Sequence, residues 1–199
     1  MTAVMPDAGV QWIPLMSPVD MEEDLRTMVT RWAHTEDGDP GFLRTFSYTP
    51  EILRRYIAWS SPMWRKGAIQ HRTKELCRIR IANSNQCRYC MTMRYTTGKN
   101  QGINPELETG FEDIENFDGF TEREKAALRY TDEIYTDDPT WDYDRVADEL
   151  YDRMTENFSE PELIELTMAI CFATEYGRLV SSLGVPPAKD ITDMQDSNA

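Results

Sequence analysis

Residues 75–94 read ELCRIRIANSNQCRYCMTMR, and how this stretch is read decides the fold. Leu76, Ile79 and, half a turn round, Glu75 keep helical spacing as far as Ala82. Asn83 to Gln86 interrupt that helix and supply caps for a new one that opens at Cys87. A cysteine pair that follows a helix is not the thioredoxin arrangement, in which the pair follows a strand. Cys87 and Cys90 stand three apart, and Glu75 lies twelve residues before the first of them. Outward from the pair, residues 54–99 hold eleven Lys/Arg and one acid, Glu75, a balance of +10. The other 153 residues carry −24, for a total of −14. An acidic chain has placed its cysteine pair in its one basic segment.

The whole chain, 199 residues with 40% hydrophobic side chains, is long enough for one domain with a sizeable core. Its first residues, MTAVMPDAGVQWIPLM, lack a basic start and a long apolar run, so no secretory signal is expected. No apolar stretch approaches the roughly 20 residues of a membrane span. The expected location is the cytoplasm. A charge of −14 argues against nucleic acid as a partner, because phosphate binding needs a basic surface. Four cysteines do not suggest a disulfide scaffold, which leaves redox or metal chemistry for a close pair.

Helical signals recur along the chain. Residues 1–16 look like an arm, and Ser17-Pro18 caps a first amphipathic helix to about His34. Residues 36–41, EDGDPG, read as a loop. Thr49-Pro50 opens a second helix, which Pro62 kinks or divides. The helix from Cys87 is expected to run to Thr97, closed by Gly98. Asn104-Pro105 caps a short segment. Thr121 with Glu124 and Ser159 with Glu162 form capping boxes. Tyr143, Val146, Leu150 and Met154 make a stripe between them. The last helix, apolar nearly all round, is expected at the centre or at a subunit contact. Sustained period-two alternation is absent, and the fold class is all-α.

At a helix start, Cys87 and Cys90 share one face and are close enough for a disulfide. The helix N-terminus favours a thiolate at Cys87, and Arg78, Arg80, Arg88 and Arg94 would add to that if they project near it. A thiolate reduces peroxides or exchanges with disulfides, and a cysteine three residues on can resolve the intermediate. Two other readings stand beside this one: two small side chains packed under a helix, or a zinc site. Zinc would need two more ligands, and Cys77, Cys171, His34 and His71 lack the paired spacing. Cys77 and Cys171 read as core. Glu75 reads either as a proton-handling carboxylate or as the i,i+3 ion-pair partner of Arg78. Trp59, Trp64 and Tyr95 read as core or interface, with a pocket as the alternative. Tyr89 reads as a packing residue.

Glu75, Cys87, Cys90 and a fixed position at 94 together resemble the signature of the carboxymuconolactone decarboxylase and alkylhydroperoxidase D superfamily. PEILRRY from Pro50, ELCRIRIA from Glu75, FTEREKAALRYTDEI from Phe120 and FSEPELIELTMAICF from Phe158 resemble its successive helices. The resemblance spans about Phe42 to Val185. It implies an alkylhydroperoxidase D-like bundle of about seven to nine helices over 41–185, after an arm with one helix (1–40) and before a polar tail (186–199). It also implies a homo-oligomer, a trimer or hexamer, with no cofactor and no metal.

In the redox members the residue matching Cys90 attacks the hydroperoxide and the one matching Cys87 resolves the sulfenic acid. Glu75 matches a carboxylate that relays protons with a histidine four residues after the second cysteine. Here that position is Arg94, which stays charged and relays no proton. His71, one helical turn before Glu75, is the nearest imidazole that can stand in. The expected function is therefore a thiol-dependent oxidoreductase acting on an organic hydroperoxide or a partner disulfide, with a thiol reductant protein as partner. The alternative is a non-redox enzyme of the same superfamily, in which Arg94 binds a carboxylated or lactone substrate and Glu75 moves a proton.

Overall fold

The computed structural model describes residues 11–33, 38–134, 148–187 and 191. Among them are ten α-helices and no strand. They are α1 (Glu23–Ala33), α2 (Pro40–Phe46), α3 (Pro50–Lys66), α4 (His71–Ser84) and α5 (Arg88–Thr92), then α6 (Thr96–Asn100), α7 (Pro105–Glu108), α8 (Glu122–Ile134), α9 (Asp148–Asn157) and α10 (Glu160–Ser182). His34, Tyr143, Val146 and the tail from residue 192 lie outside the described residues.

Helix α4 is the central post. It packs against α10 on one side and α8 on another, and nine of its fourteen residues are buried. It feeds three hydrophobic clusters. Ala82 joins Leu25, Val29, Leu43, Leu53, Tyr89 and Val180. Cys77 and Ile81 join Ala127, Met154, Leu166 and Ile170. Leu76 and Ile79 join Ile103, Phe111, Phe120 and Leu128. Helix α1, expected as part of an arm, buries Leu25 and Val29 in the first of these clusters.

The basic segment meets carboxylates of its own chain. Arg72 pairs with Glu124 and Arg80 with Asp132, both on α8; Lys74 pairs with Glu165 of α10 and Arg54 with Asp24 of α1. In α4, Arg72, Lys74 and Arg80 each carry their charge to a waiting acid, which is how a helix spelled HRTKELCRIR can be buried.

Several local expectations change. Pro18 opens only a 3-10 turn, Pro18–Asp20; Met21 is extended, and the α-helix begins at Glu23. EDGDPG is not all loop: Asp39 accepts from the Phe42 amide and starts α2 with Pro40 in its first turn. Helix α3 passes through Pro62 without ending, and Ala58, whose carbonyl loses a donor there, is exposed to solvent. The helix expected from Cys87 to Thr97 is two helices. Met93 is extended, and Gly98 lies inside α6 rather than closing α5. A Cβ on Gly98 would stand 3.0 Å from Cγ of Glu75, so glycine lets α6 lie directly against α4. Helix α10 is buried along one face only, with Ile164, Met168 and Cys171 exposed on the other. Cys171 is therefore not a core residue.

Candidate active site

The CxxC turn is held by one local contact and two from other helices. Cys87 is the N-cap of α5, and its Sγ accepts from the Cys90 amide at 3.2 Å. The hydroxyl of Ser181, on α10, points to the same sulfur at 3.6 Å. Arg78 reaches up from α4 and donates to the carbonyls of Cys90 (3.1 Å) and Met93 (2.8 Å), taking up backbone acceptors where α5 ends. The two sulfurs are joined as a disulfide, with Cα atoms 5.3 Å apart. Both cysteines are buried, Cys87 4% and Cys90 7% exposed.

Glu75 is engaged with Arg78 through both carboxylate oxygens, at 2.7 Å each, and lies further from the Tyr95 amide at 3.5 Å. Of the two readings of Glu75, the geometry displays the ion pair. Its effect is larger than an exposed pair's, because both residues are buried and Arg78 in turn holds the cysteine turn. Arg94 does not reach the sulfurs. It forms a two-pronged pair with Glu108 of α7, 2.7 and 2.8 Å, and donates to the carbonyls of Met91 and Met93. Arg78, Arg80 and Arg94, expected as a cationic surround for a thiolate, are thus committed to Glu75, Asp132 and Glu108. Helix α5 has only five residues, so its dipole is small as well.

Beside Cys90 lies a cavity of about 330 Å3. Its walls are largely aromatic: Phe42, Tyr56, Trp64, Tyr95, Phe172 and Tyr176. Its polar groups include Asp39, His71, Arg78, Asn85 and Cys90. Trp64 and Tyr95 are thus pocket residues, whereas Trp59 is half exposed and rests its ring on Phe172. Gly177 forms part of the wall. A Cβ there would sit 3.6 Å from the Cys90 sulfur, so glycine keeps that sulfur uncovered on the α10 side.

His71 lies in this cavity, with Nδ1 3.3 Å from the Trp64 carbonyl and its ring between Trp64 and Tyr95. Its Nε2 is buried without a hydrogen-bond partner. The structure brings His71, Arg78 and Cys90 to one cavity; Cys87, Glu75 and Arg94 do not line it. Cys77, one helical turn from Arg80, is buried in hydrocarbon, and burial pushes its thiol up to about 12. Among the described residues no group of three or more His, Cys, Asp or Glu side chains is placed to hold a metal ion.

Two cavity residues escaped the sequence reading. Asp39 is 7% exposed, and the Tyr176 hydroxyl donates to its Oδ2. They lie 137 residues apart, and the only local sign was Asp39 before Pro40, an N-cap signal.

Residues 50–133, the run from α3 through α8, match the model of the carboxymuconolactone decarboxylase family. The uncharacterized protein YdfG of Bacillus subtilis is 28% identical over 120 residues, 60% of this chain and 79% of that one. An uncharacterized protein of Mycobacterium tuberculosis is 33% identical over 109 residues, and the match spans only 36% of its length. Among solved structures, the alkylhydroperoxidase AhpD core of an uncharacterized peroxidase-related protein from Ralstonia eutropha superposes with a TM-score of 0.73. The identity is 14%, over 92% of this chain and 93% of that one. The debrominase Bmp8 superposes with a TM-score of 0.72 at 16% identity, covering 94% and 95%. At these identities the likeness is one of fold, and it extends the AhpD-like bundle beyond the family segment to α1, α2, α9 and α10.

Proposed function

We propose that this carboxymuconolactone decarboxylase family protein is a thiol-dependent oxidoreductase in which Cys90 attacks a small electrophile and Cys87 resolves the product. The observation that carries this reading is that Cys90 lines an aromatic cavity while its disulfide partner Cys87 does not. A substrate entering the cavity meets one sulfur first, and the second completes the exchange without further motion of the chain. The aromatic walls favour an apolar organic hydroperoxide over hydrogen peroxide, and a thiol reductant protein would return the pair to the dithiol. The name of the Ralstonia eutropha relative, peroxidase-related, is consistent with this chemistry.

The anion-binding alternative has less support, because Arg94 is paired with Glu108 and does not line the cavity. A second redox reading has a specific observation in its favour. Bmp8 is a debrominase crystallised with 2,3,4-tribromopyrrole, and a flat halogenated ring would suit walls made of Phe42, Trp64, Phe172 and Tyr176. The deciding experiment is a titration of free thiols in the reduced protein after excess cumene hydroperoxide, and in parallel after a brominated pyrrole. Loss of two thiols with the hydroperoxide is expected. Two thiols retained with both reagents would end the oxidoreductase proposal.

A further inference from the structure

We propose that the side-chain amide of Asn85 holds the oxygen end of the substrate beside the Cys90 sulfur and steadies the charge that the leaving oxygen acquires. This rests on the oxidoreductase reading above and adds to it the residue that meets the peroxide group.

Asn85 and Cys90 converge on one spot of the cavity wall. A Cβ placed on Gly177 of α10 would stand 3.6 Å from the Cys90 sulfur and 3.8 Å from Asn85 Nδ2. Sulfur and amide thus face the same bare glycine, and all three residues line the cavity. The backbone fixes Asn85 in that place. It is the C-cap of α4, and its main-chain N–H donates to the Ile81 carbonyl at 2.9 Å. Gln86 follows with φ at 51°, in the left-handed region, and the Cys87 amide then donates to the Ala82 carbonyl at 3.1 Å. The side chain of Asn85, by contrast, is uncommitted: among the described residues it has no hydrogen-bond partner. Its neighbours in the wall are engaged. Arg78 donates to Glu75 and to the Cys90 and Met93 carbonyls, Asp39 accepts from the Phe42 amide, and His71 has Nδ1 against the Trp64 carbonyl. A half-buried carboxamide with free donors, next to a reactive sulfur and among aromatic walls, suits an apolar molecule with oxygen at one end.

In the reaction the Cys90 thiol gives its proton to solvent, and the thiolate attacks the terminal, hydrogen-bearing oxygen of an organic hydroperoxide. The S–O bond forms as the O–O bond breaks; the sulfur is oxidised to a sulfenic acid and the peroxide is reduced. The other oxygen leaves as an alkoxide, and the Asn85 N–H donates to it where that charge appears. A proton from solvent turns the alkoxide into an alcohol. Asn85 keeps its own hydrogens throughout: it binds charge and moves no proton. The Cys87 thiol then displaces the sulfenic hydroxyl as water, forming the disulfide. A dithiol reductant, itself oxidised, restores both thiols.

The test compares two reactions of Cys90 in the reduced protein: rapid-mixing oxidation by cumene hydroperoxide, and alkylation by iodoacetamide read by peptide mass. Only the first expels an oxygen. Asn85→Leu keeps the size of the side chain and removes its donors. It should be oxidised about 100-fold more slowly than wild type, yet be alkylated at the wild-type rate. With 3-chloroperbenzoic acid, whose leaving carboxylate needs less help, the loss should be smaller. Equal slowing of oxidation and alkylation would place the effect on the sulfur or the fold and overturn the proposal, as would an unchanged oxidation rate. Should Asn85→Leu not fold, Gly177→Ala takes its place: the new Cβ meets sulfur and amide at ordinary contact distance and fills the gap between them. It should slow the hydroperoxide, and full speed there would overturn the proposal equally. A wild type alkylated by iodoacetamide but inert to the hydroperoxide would end the oxidoreductase reading and this proposal with it, whereas a failure of Asn85 alone leaves that reading standing.

Discussion

Helices α4 and α10 lie against each other, and their compositions predict the opposite of what they do. Helix α10 is the most apolar segment of the chain, yet one of its faces carries Ile164 at 62% and Met168 at 41% exposure. Helix α4 holds His71, Arg72, Lys74, Glu75, Arg78 and Arg80 within ten residues, and it occupies the centre, with Lys74 and Glu75 each 1% exposed. What separates them is the company each keeps. Helix α4 is met by Glu124 and Asp132 of α8 and Glu165 of α10, so its charges are paired before they are buried. Apolar content alone says how much could be buried; the position of counter-charges decides what is.

The largest effect should come from unpairing α4. Removing Glu75 leaves Arg78 buried without its carboxylate, and breaking a buried pair from one side costs about 3–5 kcal/mol. Urea unfolding of Glu75→Ala should show a loss of that order. Arg78 also holds the Cys90 and Met93 carbonyls, so alkylation of reduced Cys90 should change in the same variant. An equal loss from Ile164→Ala on the exposed face of α10 would break the comparison.

The same contrast explains what could be read in the sequence. The starts of α3, α8 and α10 were legible because their signals are local: Pro50 and the boxes Thr121/Glu124 and Ser159/Glu162. The cysteine pair was legible for the same reason. The division between α5 and α6 was not, because Arg78, fifteen residues from Met93 and on another helix, takes the carbonyls there. Arg94 looked free to bind a substrate because Glu108 reaches it only after the chain has turned through α6 and α7. The partners of the basic segment could not be read locally because its acids are spread from Asp24 to Glu165. Asp39 was passed over inside a run of turn-forming residues, although its N-cap position was available.

A second effect, nearly as large, sets the unpaired charge of the cavity against the paired charges of α4. Asp39 has no cation in its hydrogen bonds, and its carboxyl is raised from 3.8 to about 7. The folded protein therefore holds a proton that the unfolded chain releases. The Asp39 contribution to stability should be fullest below about pH 4, fall as pH rises toward 7, and level off above it, with a total loss of about 4 kcal/mol. Asp39→Asn should flatten this slope, which denaturant midpoints at pH 5 and pH 8 would reveal. A wild type as stable at pH 8 as at pH 5 would show that Asp39 does not hold this proton.

The smallest effect on stability is expected on the outer face of α10, where substitutions remove no buried contact. Ile164→Glu with Met168→Glu should shift the unfolding free energy of the single chain by less than about 0.5 kcal/mol per site. Their effect on mass is another matter. Ile164, Met168 and Cys171 fall at i, i+4 and i+7 of one helix, a contiguous apolar stripe of the kind that a second copy covers. If the homo-oligomer expected from the family uses this stripe, light scattering should report a smaller particle for the double variant, at unchanged helicity. An unchanged mass at unchanged stability would assign the stripe to solvent and leave the subunit contact to another face. In either case α10 would tolerate charge on its apolar side, while α4 should not tolerate the loss of charge on its buried side.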